Sequence, residues 1–330
     1  MSMNTKPVPS EGASILRLGS RGSLLALTQS RQVAAALEAA NPGLTVELEV
    51  IRTTGDRQQT WTETPAALGA SGGKGIFVKE IEDALLERRV DAAVHSMKDM
   101  PTEIPEGLAI VCIPRREDPR DVLVAREGAS FERLREGARI GTGSPRRISQ
   151  LLHRRRDLEF VPIRGNVDTR MKKVSGGELD AVILAAAGLA RLGIRDAGVL
   201  PLDPGLCLPA PGQGALAIES RSAGGPLLDA LMKLHDSRTA TRVAAERAFL
   251  GELGGGCLVP AAALAEFADD DPARLTLRAL IADPDGRRLV RVELAGSPDD
   301  PGALGRAAAL RLLADGGEEI LSTVRGADGG

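Results

Sequence analysis

Apolar and polar positions change period repeatedly along this 330-residue chain, and each change marks an element. Ile15-Leu16-Arg17-Leu18 reads as a strand running into Gly19-Ser20-Arg21-Gly22-Ser23. A helix follows from about Leu24, stopped by Asn41-Pro42-Gly43. Thr45 to Val50 alternates as a second strand. Residues 55–75, rich in Gly, Thr and Pro, lack periodicity and read as a lid over a cleft. From Ile76 a helix carries Phe77, Ile81 and Leu85 inward. The strand Val90 to Val94 then empties into His95-Ser96-Met97-Lys98-Asp99-Met100-Pro101.

The same grammar repeats. Strands Leu108 to Ile113 and Asp121 to Ala125 flank a crossing rich in Pro and Arg. Arg139-Ile140-Gly141 is a strand, Thr142 to Pro145 a turn, and Arg146-Arg147 open a helix. Leu158 to Ile163 precedes Arg164-Gly165-Asn166 and a helix carrying Arg170. Asp180 to Leu184 leads to Gly188 and Arg191. Leu208 to Gly214 is a stiff crossover, and the strand Ala215 to Glu219 returns to the first sheet. Helices near 226–235 and 238–253 end at Leu253-Gly254-Gly255-Gly256-Cys257. Three alternating strands follow from Ala261, one pair turned by Asp283-Pro284-Asp285-Gly286, then a helix to about Leu313. The two ends, 1–13 and 326–330, read as disordered.

Alternating strands and helices imply an α/β protein whose ligands bind beyond the carboxyl ends of the strands. Arginines fall there again and again. Nucleotide fingerprints fail: Gly72-Gly73-Lys74-Gly75 has Leu68 and Gly75 where a phosphate loop needs glycine and a hydroxyl, and Arg146 replaces the last glycine of a dinucleotide motif.

Composition narrows the field. A net charge of -3 gives no general attraction for polyanions, and 2% aromatic residues leave few platforms for stacking bases, so nucleic-acid binding is disfavoured. Cys112, Cys207 and Cys257 are far apart with no CxxC pair, and three scattered histidines complete no metal site. Without a signal-peptide pattern or a charge-free span of membrane length, the expectation is a cytoplasmic protein with no membrane partner. Cys257 stands out, because glycines beside it clear space for a bulky group at the sulfur.

Seven stretches resemble the porphobilinogen deaminase (hydroxymethylbilane synthase) family, in order. They are Arg21 to Gln29, Gly73 to Glu80, His95 to Pro101, Gly141 to Arg147, Arg164 to Asn166, Leu208 to Ala215 and Gly255 to Cys257. The resemblance implies two doubly wound lobes like those of periplasmic binding proteins, plus a small C-terminal α+β domain with a three-stranded antiparallel sheet. On this chain those units fall at 15–114 with 215–232, at 115–214, and at 233–330, after a tail over 1–14. It implies a monomeric transferase of tetrapyrrole and heme biosynthesis that adds four porphobilinogen units to a dipyrromethane held by a thioether to Cys257.

By the same resemblance Asp99 and Lys98 are catalytic. Ser23, Lys98, Asp99, Ser144, Arg146, Arg147 and Arg191 hold the dipyrromethane, Arg21, Arg164 and Arg170 favour the substrate, and Phe77 packs on a ring. No metal is implied. Arginine forks suit a ligand that brings two carboxylates per ring. The lid departs at Ala70, where some members carry lysine. Two other classes remain at this stage: a solute-binding or effector-sensing module on the same lobes, and a polyanion binder.

Overall fold

A computed structural model describes residues 14–51, 78–195, 198–222, 226–254, 260–268 and 271–327. The expected lid at 55–75, Phe77, Cys257 and the tail before Ser14 lie outside these residues.

The first half of the chain forms β1 (Ser14–Arg21), α1 (Leu24–Ala40), β2 (Leu44–Ile51), α2 (Lys79–Leu86), β3 (Ala92–Ser96) and β4 (Leu108–Cys112). Ser23 starts α1 by accepting the Ala26 N–H at 3.3 Å, and Asn41 ends it by donating to the Leu37 carbonyl at 2.9 Å. Then come β5 (Asp121–Ala125), β6 (Arg139–Gly141), α3 (Pro145–Arg154), β7 (Glu159–Val161), α4 (Val167–Ser175), β8 (Ala181–Ala185), α5 (Ala186–Arg191) and β9 (Val199–Pro201). The chain continues through β10 (Leu216–Arg221), α6 (Pro226–Met232), α7 (Ser237–Glu252), β11 (Ala261–Phe267), β12 (Leu275–Ala282) and β13 (Leu289–Gly296), and then α8 (Pro301–Leu312) and α9 (Glu318–Ala327).

Two sheets share one plan. The first runs β2-β1-β3-β10-β4 and the second β7-β6-β8-β5-β9. In each, three parallel strands are followed by an antiparallel strand that the chain enters from a crossing out of the other lobe. The chain therefore crosses between the lobes twice, before β5 and before β10. The third sheet, β11-β12-β13, is antiparallel and packs one face on α7, α8 and α9 around Phe249, Leu277, Ala308 and Ile320. This is the expected α/β pair of lobes with an α+β unit appended.

Some boundaries differ from the sequence expectation. Ser14 already belongs to β1 rather than to a tail. β3 begins two residues later than expected, because the Asp91 carboxylate accepts the backbone N–H and guanidinium of Arg17 at the strand's mouth. Lys98 and Asp99 consequently sit on one tight turn directly after it. β9 was not expected: it is three residues long and ends on a proline, which donates no ladder hydrogen bond and suits only an edge strand. Nor was α9, which reaches into the stretch expected to be a disordered end: Gly316, at φ +105°, turns the chain so that Ile320 and Leu321 bury against the third core.

One buried carboxylate ties the crossings to the third unit. Glu246 of α7 takes the Arg116 guanidinium at 2.7 and 3.0 Å, the Gly212 N–H at 2.6 Å and the Ala265 N–H at 2.9 Å. Arg116 also donates to the Gln213 carbonyl at 2.8 Å. The crossings touch: a Cβ on Gly214, at φ +87°, would lie 2.5 Å from the Glu117 carbonyl oxygen. Glu246→Gln strands a buried guanidinium and is expected to cost about 3 kcal/mol of stability. Denaturation followed by circular dichroism measures it, and a loss below about 1 kcal/mol would mean the pair is only a surface-like contact.

Candidate active site

In the first sheet the chain leaves β1 toward β2 on one side and later reaches β3 on the other. Where such order reverses, the strand ends part and leave a crevice. The second sheet reverses in the same way between β6 and β8. Residues expected from the sequence gather at these two points. Arg21 and Ser23 follow β1, and Lys98 and Asp99 follow β3. Ser144, Arg146 and Arg147 open α3 after β6, and Arg191 ends α5 after β8. β7 is an edge strand, so Arg164 and Arg170 stand to one side.

Arg146 and Arg147 are buried in the first turn of α3, at 6% and 7% exposure. Both bind Asp121, the first residue of β5, Arg146 through Nη1 at 2.7 Å and Arg147 through Nη2 at 2.7 Å and Nε at 3.0 Å. They are held further by main-chain carbonyls, Leu208 for Arg146 and Ile183 for Arg147, at 2.7 and 2.9 Å. Burial alone would push the Asp121 carboxyl up, but the two guanidiniums outweigh it and hold it far below the usual carboxylate range. Gln213 joins the lobes, since its amide donates to Asp121 at 3.0 Å and accepts from Lys98 Nζ at 3.4 Å. Burial pushes the half-buried Lys98 ammonium down, with Asp99 opposing and Arg147 assisting. Three cationic side chains thus surround one fully buried carboxylate. That surplus suits a ligand carrying several carboxylates.

Asp99 is exposed at the rim. It lines a cavity of about 80 Å³ together with Arg21, Ser23, Gln29, His95 and Ser96. The Gln29 amide meets the Ser96 hydroxyl at 3.3 Å, which fixes α1 against the end of β3. The rest of the lining, Leu25, Ala26, Val78 and Val94, is apolar, and an anionic group at the rim of a small cavity of this kind can stabilise positive charge that develops there.

The remaining expected residues are placed as follows. Arg191 donates to the Gly214 carbonyl at 2.7 Å, spanning from the second lobe to the crossing. Arg170 donates to the Gly165 carbonyl at 2.9 Å, and burial first, then the nearby Arg147, disfavours its own positive charge. Arg164 is exposed, and Ser144 heads α3 without a side-chain cap bond. Phe77 and Cys257 lie outside the described residues, but the helix leading to Cys257 does not. Arg247 of α7 donates to the carbonyls of Pro101 and Thr102 at 2.7 and 3.2 Å, and a Cβ on Gly251 would lie 4.0 Å from Thr102. The end of α7 is therefore docked just beyond Asp99.

Sequence reasoning missed Asp121, Gln213 and Arg247. Asp121 looked like a strand boundary and Gln213 like part of a turn. The available signal was an acid at the start of an otherwise apolar strand, where a buried charge needs a partner.

The family model described as porphobilinogen deaminase, dipyromethane cofactor binding domain, matches residues 16–227, and the model of the C-terminal domain of porphobilinogen deaminase matches 240–314. A protein named porphobilinogen deaminase from Syntrophobacter fumaroxidans is 49% identical over 310 residues, covering 94% of this chain and 98% of its own. Its namesake from Syntrophus aciditrophicus is 49% identical over 306 residues, covering 93% and 97%. That from Geobacter sulfurreducens is 50% identical over 309 residues, covering 94% of each.

Proposed function

The chain belongs to the porphobilinogen deaminase family, and we propose how its residues divide the work of that enzyme. Hydroxymethylbilane synthase joins four porphobilinogen molecules head to tail and releases ammonia, and the bound dipyrromethane supplies the primer on which the chain grows. The units are taken as 15–114 with 215–232, 115–214 and 233–330, acting as a cytoplasmic monomer.

Lys98, Arg146 and Arg147 hold the carboxylates of the dipyrromethane, with Ser23, Ser144 and Arg191 beside them. The surplus of positive charge around Asp121 supports this reading. Arg21 lies in the cavity with Asp99 and is placed to meet a carboxylate of incoming porphobilinogen. Arg164 and Arg170 border the second lobe's edge and take the other substrate acids, and Phe77 packs on a pyrrole. Porphobilinogen loses ammonia when its C–N bond breaks, leaving positive charge shared with the pyrrole nitrogen. Asp99 stabilises that charge, and Lys98 keeps its neighbourhood in balance. The observation that carries the reading is the docking of α7 on Pro101 and Thr102, because it brings the segment before Cys257 beside Asp99.

Arg147→Leu leaves Asp121 with Arg146 and removes one fork from the crevice. The protein is expected to accumulate mostly without the added dipyrromethane mass, since carboxylates left unpaired in a partly dry cleft are costly. An intact mass spectrum reads this directly. A variant that carried the full mass and lost only affinity for porphobilinogen would place Arg147 with the substrate group instead.

A further inference from the structure

One group of ionisable side chains has no part in the roles above. Ala93 and His95 project to the same side of the first sheet, because side chains alternate along β3. β10 runs antiparallel beside it with Ala217 opposite His95 and Glu219 opposite Ala93, so Glu219 is the diagonal neighbour of His95 on that face. α2 covers the face with Ile81, Ala84 and Leu85, and Glu82 is buried with them. Exposure is 9% for Glu82, 5% for His95 and 0% for Glu219.

His95 Nε2 stands 3.0 Å from Glu219 Oε2. Yet His95 Nε2, both oxygens of Glu219 and Glu82 Oε1 are buried without a well-formed hydrogen bond. Except where His95 borders the cavity holding Arg21 and Asp99, their surroundings are apolar: Ile81, Leu85, Ala93 and Leu108 form one cluster, and Val78, Met97, Ala215 and Ala217 the next. Asp83, next on α2, is the other charge that acts on Glu82.

Two carboxylates so close together in such a place repel each other, and a proton held on one of them relieves both that repulsion and the cost of burying charge. Burial first, then Glu219, pushes the Glu82 carboxyl up, while His95 works the other way. We propose that Glu82, His95 and Glu219 form a buried proton-retaining site that positions the end of β3, and with it Lys98 and Asp99. His95 also lines the cavity shared with Arg21 and Asp99, and the turn Met97–Asp99 follows β3 at once. A shift of His95 therefore reaches Asp99 within four residues. The consequence for activity rests on the role given to Asp99.

The sign of the pH effect follows from the proton kept on Glu82. Its stabilising contribution is complete at acid pH and is lost as pH rises from the ordinary carboxyl range through the raised value. Infrared difference spectroscopy of the full-length protein, followed from acid to neutral pH, is expected to show a protonated-carboxyl band that shifts in deuterium oxide, persists to higher pH than that of an ordinary glutamic acid and is missing from Glu82→Gln. The same variant should flatten the loss of stability between acid and neutral pH. Glu219→Gln is expected to lower kcat about tenfold, with KM within about twofold, and to change the pH profile of kcat.

A band that persists in Glu82→Gln, or substitutions that shift stability equally at all pH and leave the kcat profile unchanged, would overturn the proposal. Should Glu219→Gln fail to fold, the infrared band and the Glu82→Gln stability profile decide it. If Asp99→Asn keeps normal turnover, the reading of the active site fails while the band and its dependence on Glu82 still test the buried site.

Discussion

Cys257→Ser is expected to stay folded, to lack the normal thioether-linked mass, and to lose nearly all activity. A serine hydroxyl is a far poorer nucleophile than a thiolate at neutral pH, so it cannot take up the primer in the same way. The other two cysteines cannot substitute. Cys112 and Cys207 are buried, and burial pushes both thiols up to about 12, which leaves almost no thiolate. Cys112→Ser should accordingly keep both the added mass and the activity. Mass spectrometry of the intact protein and of the Cys257 peptide under reducing conditions decides the matter. An active preparation with an unmodified Cys257 would refute the attachment.

Asp99→Asn keeps the size and shape of the side chain and removes its charge. Because Asp99 is exposed on a turn, the change opens no cavity, and although Lys98 loses a favourable charge the fold and bound dipyrromethane should persist. Turnover is another matter. A charge aimed at a developing cation is worth most in the transition state, so kcat should fall by about 10²- to 10³-fold. Single-turnover kinetics with porphobilinogen, on protein whose mass shows the dipyrromethane in place, measures it. Turnover near that of the parent would move the stabilising role to another group.

Much of the site was legible because its signals are local. A strand, a glycine or hydroxyl turn and a helix start can be read from about a dozen residues, and this pattern marked Arg21, Ser23, Lys98, Asp99, Arg146 and Arg147. Partners were not legible in that way. Arg146 lies 25 residues from Asp121, and Glu246 lies 130 from Arg116. No periodicity couples such positions, because the contacts exist only once distant elements pack, β5 against α3 within the second lobe and the first crossing against α7.

The sequence by itself determined the kinds of element, the ligand edge of each sheet, the cysteine in its glycine run and, through its motifs, the family. Tertiary structure decided which charges are shared. Arg146 and Arg147 looked like two open forks, but both close on Asp121, so they act with Lys98 as one surplus of positive charge. His95 sat in a motif with no evident task until β10 and α2 set Glu219 and Glu82 against it. The physical reason is the same in both cases: a buried charge is defined by its neighbours, and those neighbours come from distant parts of the chain.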